Sequence, residues 1–245
     1  DYLAGVNAIP KSLRLLAGNA VFAGICRRSD GIVTVRKFTQ QAAEKHTSCR
    51  KLLVRNYGSR LIEPLPKAKR SKELVIVGKT PRNFESYAMF LWKLHKLGFK
   101  ITMIGSDTRP PYIFMHYEKF VPNELLLDRI STAAFSLVSF DYKERGRIRL
   151  NYLHSSSNKV YDSLCAGTPV VCDRKFDEIA PEISRKLVGI PITPEHASGA
   201  DFLERVYNSS YYTTLLSQIK HTAGDYVWNG QKKDEFIRFC TDLIT

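Results

Sequence analysis

Ser155-Ser156-Ser157-Asn158-Lys159-Val160-Tyr161-Asp162-Ser163-Leu164-Cys165-Ala166-Gly167-Thr168-Pro169-Val170-Val171-Cys172 reads in order as a polar loop, a short helix, a glycine stop and a buried strand. Ser157 or Asn158 can cap the helix, because a side-chain oxygen there accepts a first-turn amide, and Gly167 can take the left-handed conformation just past the last turn. Pro169 then forbids a return to helix. The free amides and positive dipole end of this helix face the polar loop, which suits an anion such as a phosphate. Asp162 lies one turn inside, within reach of whatever the phosphate carries.

Strand and helix signals alternate on both sides of this stretch. Upstream, Glu73-Leu74-Val75-Ile76-Val77 is a continuous apolar run ending at Gly78, as expected of a central strand in a parallel sheet. Asn83 can cap the helix that follows, whose apolar positions Tyr87, Phe90, Leu91, Leu94 and Leu97 recur at helical spacing until Gly98. A strand over 99–104, a loop over 105–111, a helix over 123–132 and a strand over 135–140 precede the focal helix. The strand 169–172 and terminal helices with Tyr and Leu stripes follow it. Repeated strand, loop and helix units predict an α/β fold with a doubly wound parallel sheet, in which ligands bind at the carboxyl ends of the strands.

Residues 1–57 carry their own pattern. Leu13, Leu15, Leu16, Ala20, Val21, Phe22 and Ile25 suggest an amphipathic helix over 11–28. Its basic ends, Lys11, Arg14, Arg27 and Arg28, make peripheral contact with an anionic membrane one reading; a domain helix with solvated ends is the other. A strand at 32–35, a helix at 37–46 and a strand at 52–54 follow, an order that implies parallel pairing in a partial α/β domain. Between the two parts, residues 58–72 include Pro64, Pro66, Lys67, Lys69, Arg70 and Lys72 without periodicity and read as a solvated basic linker. No aromatic residues interleave with those charges as a single-strand nucleic-acid platform would need.

Composition bounds the remaining choices. The 245 residues are 44% apolar, ample for a core, and the formal net charge of +13 favours anionic partners. Five cysteines with no CxxC pair are expected to be reduced thiols of a cytoplasmic protein. No run approaches the roughly 18 apolar residues of a membrane span. GxxxxGK[ST], GxGxxG and GxSxG are all missing, and no His, Cys or carboxylate group has metal-ligand spacing, so no metal is expected. The chain opens on Asp1 rather than Met, which reads as a fragment or a processed chain.

Candidate chemistry gathers at the carboxyl ends of the predicted strands. Gly78 lets the backbone approach a ligand, and Lys79 and Arg82 follow within four residues, a point charge and a planar fork that suit a diphosphate. Lys159 adds a third cation. Asp162 can accept two hydrogen bonds from ribose hydroxyls. His154, eight residues before Asp162, can face the reacting carbon of a ligand whose phosphates sit on the helix.

The stretch 158–171 resembles the donor-site signature of GT-B glycosyltransferases, particularly the family 4 group, in which an acidic residue precedes a small helix ending Ala-Gly-Thr-Pro-Val-Val. Asp30 to Val35 and Val54 to Gly58 are similar to the last units of that family's N-terminal domain, and Trp228 to Ile244 to its closing helix. The resemblance implies a nucleotide-diphosphate-sugar donor, with a UDP-sugar expected, an acceptor hydroxyl on a glycan, lipid-linked or small molecule, and metal-independent transfer. It also implies that Lys79 and Arg82 hold the diphosphate, and that Asp162 is the second acid of an E-x7-E motif. His154 stands where the first acid is expected. Residues 1–57 would be part of the acceptor-side domain, 73–228 the nucleotide-sugar domain, and 229–245 a helix returning to the first domain. Because 57 residues fall short of a full domain, a non-catalytic or regulatory nucleotide-sugar-binding half is the alternative. A sugar-nucleotide epimerase and a basic nucleic-acid binder are further readings.

Overall fold

A computed structural model of the chain describes residues 11–78, 84–105, 109–139, 143–144, 147–148 and 153–244. These fall into two compact units, one within residues 11–55 and 230–244 and the other within residues 56–229.

The first unit contains α1 (Lys11–Arg28), β1 (Gly31–Thr34), α2 (Lys37–Glu44), β2 (Arg50–Leu53) and the last helix, Gly230–Thr241. β1 and β2 pair in parallel, Gly31 against Arg50 through Thr34 against Leu53, as the helix and strand order implied. Over residues 17–28, the part of α1 whose side chains are described, the apolar residues do not share one buried face. Ala23 and Cys26 are buried, whereas Val21 and Ile25 are 58% and 60% exposed. Val21 and Ile25 stand one turn apart on one face and Phe22 and Cys26 on the next, so the apolar residues span too wide an arc to share one contact. Arg50 lies over the Phe239 ring, 5.7 Å from its centroid, and pairs with Asp242 at 2.8 Å.

The second unit is built on β3 (Ser71–Val77), β4 (Lys100–Ile104), β5 (Met115–Glu118), β6 (Ala133–Val138), β9 (Val170–Asp173) and β10 (Gly189–Ile192), all parallel. A short antiparallel pair, β7 (Lys143–Glu144) and β8 (Arg147–Ile148), lies apart from this sheet. The order across the six-stranded sheet is β10-β9-β6-β3-β4-β5. Chain direction along the sheet therefore reverses between β3 and β6, the topological switch point where open α/β sheets bind ligands.

Helices cover both faces, so the strands are buried twice over and read as unbroken apolar runs. One face packs α3 (Ala88–Lys96), α7 (Ser198–Tyr207) and α8 (Ser210–Thr222) on Leu74, Ile76, Phe135 and Leu137. On the other face, α4 (Asn123–Ser131) meets Val75 and Ile104. Beside it, α5 (Asn158–Cys165) and α6 (Ile179–Arg185) meet Val138, Val170 and Cys172. Alternate residues of β3 and of β6 thus serve opposite cores. β5 carries no strand signature in the sequence: only Met115 is buried there, and His116 and Tyr117 face out at the sheet edge.

The linker is not uniformly solvated. Arg70 is 6% exposed and belongs to the core of the second unit, and β3 starts one residue later. Nearby, Glu73 is 2% exposed and sits under Arg129 of α4, whose guanidinium also grips Glu118 at the end of β5. Burial pushes the Glu73 carboxyl up, but hydrogen bonds from Arg129 and Thr102 and the charges of Arg129 and Lys100 outweigh it and hold the group at about 2, against an ordinary 4.5. A depressed carboxylate stabilises the fold fully above its unfolded value, and that contribution is lost as pH falls from 4.5 toward 2. Denaturation at pH 6 and at pH 2.5 is therefore expected to show an acid loss of about 2 kcal/mol that Glu73→Gln largely abolishes. An unchanged acid limb in the variant would remove Glu73 from that account.

Candidate functional site

The site grows from α5. Ser157 is the residue before its first turn, with φ −73° and ψ 129°, and its hydroxyl accepts from the Lys159 amide at 3.3 Å. Of the two candidate caps the structure selects Ser157; Asn158 is the exposed first residue of the helix. At the far end Gly167 has φ 72°, and the Thr168 amide reaches back to the Ser163 carbonyl at 2.9 Å, closing the helix in a Schellman-type turn. A Cβ on Gly167 would stand 2.7 Å from the Cα of Pro64, so glycine is required there for space as well as for conformation.

Two contacts fix the helix against the sheet and its leading loop, and a third lies within the helix. The Ser163 hydroxyl lies 2.7 Å from that of Ser136 on β6 and donates to the Lys159 carbonyl at 2.6 Å. The Asn56 amide donates to the Ser156 carbonyl, which holds the residue before the cap. Ser155, Ser156 and Ser157 are all buried despite their polarity. Because α5 runs back across β6 and β9, its first turn lies at the carboxyl ends of these strands, beside the switch point.

Asp162 is half-buried on α5. Burial raises its carboxyl to about 6 from an ordinary 3.8, and the Lys159 charge opposes that rise. A carboxylate kept short of water in this way gains when a ligand supplies hydrogen-bond donors, as ribose hydroxyls do. Gly78 directly follows β3 on the opposite side of the switch point, with φ 156° and its amide donating to the Ile104 carbonyl at 3.0 Å. Lys79 and Arg82 lie outside the described residues, as does Asn83.

His154 departs from the picture of a lone residue aimed at substrate. Its Nδ1 is bonded to Asp177 Oδ2, from the loop after β9. Nothing in the sequence marks Asp177, Arg70 or Asn56 as partners in this region. Asp177 is 23 positions from His154, and Asn56 is 100 positions from Ser156, so no spacing pattern could have joined them. Among the described residues no group of three His, Cys, Asp or Glu side chains has the geometry of a metal site, and no helix is long and apolar enough to cross a membrane.

No family model matches the chain, and no curated protein matches it. Solved structures do. A glycosyltransferase from Rickettsia africae ESF-5 superposes with a TM-score of 0.64 at 10% identity, over 98% of this chain and 69% of that one. HepE of Anabaena, in complex with UDP, gives a TM-score of 0.64 at 9% identity, over 92% and 68% of the two chains. A sucrose-phosphate synthase from Thermosynechococcus elongatus gives 0.60 at 13% identity, over 98% of this chain and 64% of its own. The chain thus spans about two thirds of the length of these structures. What such distant likeness establishes is the fold, and that fold is the Rossmann-like α/β architecture of the GT-B glycosyltransferases.

Proposed function

We propose that the chain handles the donor in a glycosyl transfer, moving a sugar from a nucleotide diphosphate, with UDP the expected nucleotide, to an acceptor hydroxyl without a metal ion. The observation that carries this reading is the Ser157-capped end of α5 at the carboxyl ends of the sheet, with Asp162 one turn inside. Free amides and the helix dipole suit a diphosphate, and a half-buried carboxylate at that reach suits two ribose hydroxyls. The UDP bound by Anabaena HepE, a protein of the same fold, supports the choice of nucleotide. Lys79 and Arg82 after Gly78, with Lys159 on α5, supply the charge that stabilises the departing diphosphate in place of a divalent ion.

In this reading residues 73–228 bind the donor, residues 1–57 belong to the acceptor side, and residues 58–72 connect them. The helix after Asn229 returns to the acceptor side. The family 4 group of GT-B enzymes is the proposed affiliation, on the strength of the stretch 158–171. The acceptor is a glycan, a lipid-linked sugar or a small molecule, met in the cytoplasm or at the inner membrane face through the basic ends of α1.

Calorimetric titration with UDP, GDP and ADP, then with UDP-sugars, tests the reading, and UDP is expected to bind ahead of the purine nucleotides. Changing Lys79 and Arg82 together to alanine is expected to weaken UDP about tenfold while leaving uridine, which has no phosphate, nearly unaffected. A chain that binds none of these nucleotides, or a double variant with full UDP affinity, contradicts the assignment.

A further inference from the structure

The chain enters the second unit at Asn56 and leaves it after Asn229, and both of these segments are tied to α5. On the way in, the Asn56 amide donates to the Ser156 carbonyl, the Tyr57 and Tyr161 rings meet edge to face with centroids 5.9 Å apart, and the Ile62 amide donates to the Cys165 carbonyl at 2.7 Å. Residues 56–62 therefore run the length of the helix. On the way out, the Trp228 amide donates to the Gly58 carbonyl at 3.0 Å, and the Gly58 amide donates to the Tyr226 carbonyl at 2.9 Å. The Cys165 thiol reaches the same Tyr226 carbonyl at 3.4 Å, so both segments meet at the last turn of α5. Glycine is needed at 58, because a Cβ there would stand 2.6 Å from Cys165 Sγ.

Among these contacts, the one from Asn56 acts on the first-turn end of the helix. Ser156 is 4% exposed, and Asn56, half-buried and 100 positions away, supplies a donor to its carbonyl. In a trans peptide the next N–H points away from the carbonyl, so Asn56 fixes the plane that presents the Ser157 amide. Among the described residues that amide donates to none, while the Ser157 hydroxyl accepts from Lys159. An anion that takes the Ser157 amide polarises the peptide, which makes the Ser156 carbonyl a better acceptor and tightens its bond from Asn56. Such coupling is reciprocal: what the ligand does to the connecting segment, the segment does to the ligand.

We propose that Asn56 is a positioning residue for the phosphate-binding end of α5, and that through it a bound diphosphate stiffens the segments 56–62 and 226–228 by which the chain enters and leaves the second unit. The inference rests on the donor-site reading above. Asn56 touches no ligand in this account; it sets the plane of a peptide that does. The remaining ties along α5 carry the effect to Gly58, where the entering and leaving segments are bonded to each other.

Backbone amide exchange followed by NMR on the full chain, with UDP and with uridine as probes, tests the coupling. Saturating UDP is expected to slow exchange about tenfold at the Gly58, Ile62 and Trp228 amides, and uridine, which has no phosphate to meet Ser157, by less than about twofold. In Asn56→Ala the slowing by UDP is expected to vanish and the UDP dissociation constant to rise about fivefold, with uridine affinity unchanged. A residue serving the fold alone would lower the melting midpoint and leave the slowing by UDP as it is, so a variant that retains that slowing overturns the inference. Should Asn56→Ala fail to fold, the wild-type comparison decides. UDP that binds without slowing these three amides, or uridine that slows them equally, overturns the coupling while leaving the donor site standing. A wild-type chain indifferent to UDP overturns the donor site itself, and this inference with it.

Discussion

Arg70→Met is expected to destabilise the second unit by about 3–5 kcal/mol. Arg70 is 6% exposed, and its guanidinium donates to four acceptors on three segments: the carbonyls of Leu65 at 2.8 Å, Ala133 at 2.8 Å and Gly167 at 2.7 Å, and the Thr168 hydroxyl at 3.1 Å. Methionine matches the stem but leaves the buried Ala133 and Gly167 carbonyls, the part-buried Leu65 carbonyl and the Thr168 hydroxyl short of this donor. Two of these acceptors, Gly167 and Thr168, form the stop of α5, whose carboxyl-end dipole favours a cation. Thr168 passes the restraint on by donating to the Ile130 carbonyl at 2.9 Å. Denaturant unfolding of wild type and variant measures the loss, as a lower midpoint with an unchanged slope. Arg70→Lys should recover only part, since an ammonium has no planar fork to span acceptors on different strands. A methionine variant within about 1 kcal/mol of wild type would show that the clamp is dispensable.

Arg70 also marks the limit of what could be read along the chain. The β3 and β6 runs, the Ser157 cap and the Gly167 stop were legible because burial on two faces, capping chemistry and positive φ each impose a residue type within a few positions. The guanidinium of Arg70 sits in a run of Lys and Pro whose composition says solvent, and its acceptors at Ala133 and Gly167 come from 63 and 97 positions away. The same distance hid the partner of His154. The edge strand β5 failed for a different reason: with one neighbour and one buried residue, Met115, it has neither the apolar run of a central strand nor a sustained alternation. Over the described part of α1, Val21 and Ile25 belong to a face the first unit leaves exposed, which an apolar count along the chain does not distinguish from the buried side.

Asp162→Asn is expected to move stability and ligand affinity in opposite directions. The Asp162 carboxyl is raised to about 6 from 3.8 by burial, with Lys159 pulling against that rise. A group whose folded value lies above its unfolded value contributes stability that is fully present below pH 3.8 and lost as pH rises through about 6. At pH 8 the empty protein therefore carries an ionised, partly desolvated Asp162 at a cost of about 1–3 kcal/mol. Asparagine removes that charge, so the ligand-free variant should melt higher than wild type at pH 8 and lose the advantage near pH 4. If the carboxylate meets the ribose hydroxyls, the same substitution should weaken UDP by about 1–3 kcal/mol, roughly 5- to 150-fold, because it exchanges a charged acceptor for a neutral amide. Wild-type UDP affinity should likewise fall as pH drops through about 6 and Asp162 takes up its proton. Thermal melts at both pH values, with and without UDP, measure all of these effects. A variant that melts lower than wild type at pH 8 and binds UDP equally well would make Asp162 a structural carboxylate, since a side chain held for the fold stabilises the empty protein, whereas one held for the ligand strains it until the ligand arrives.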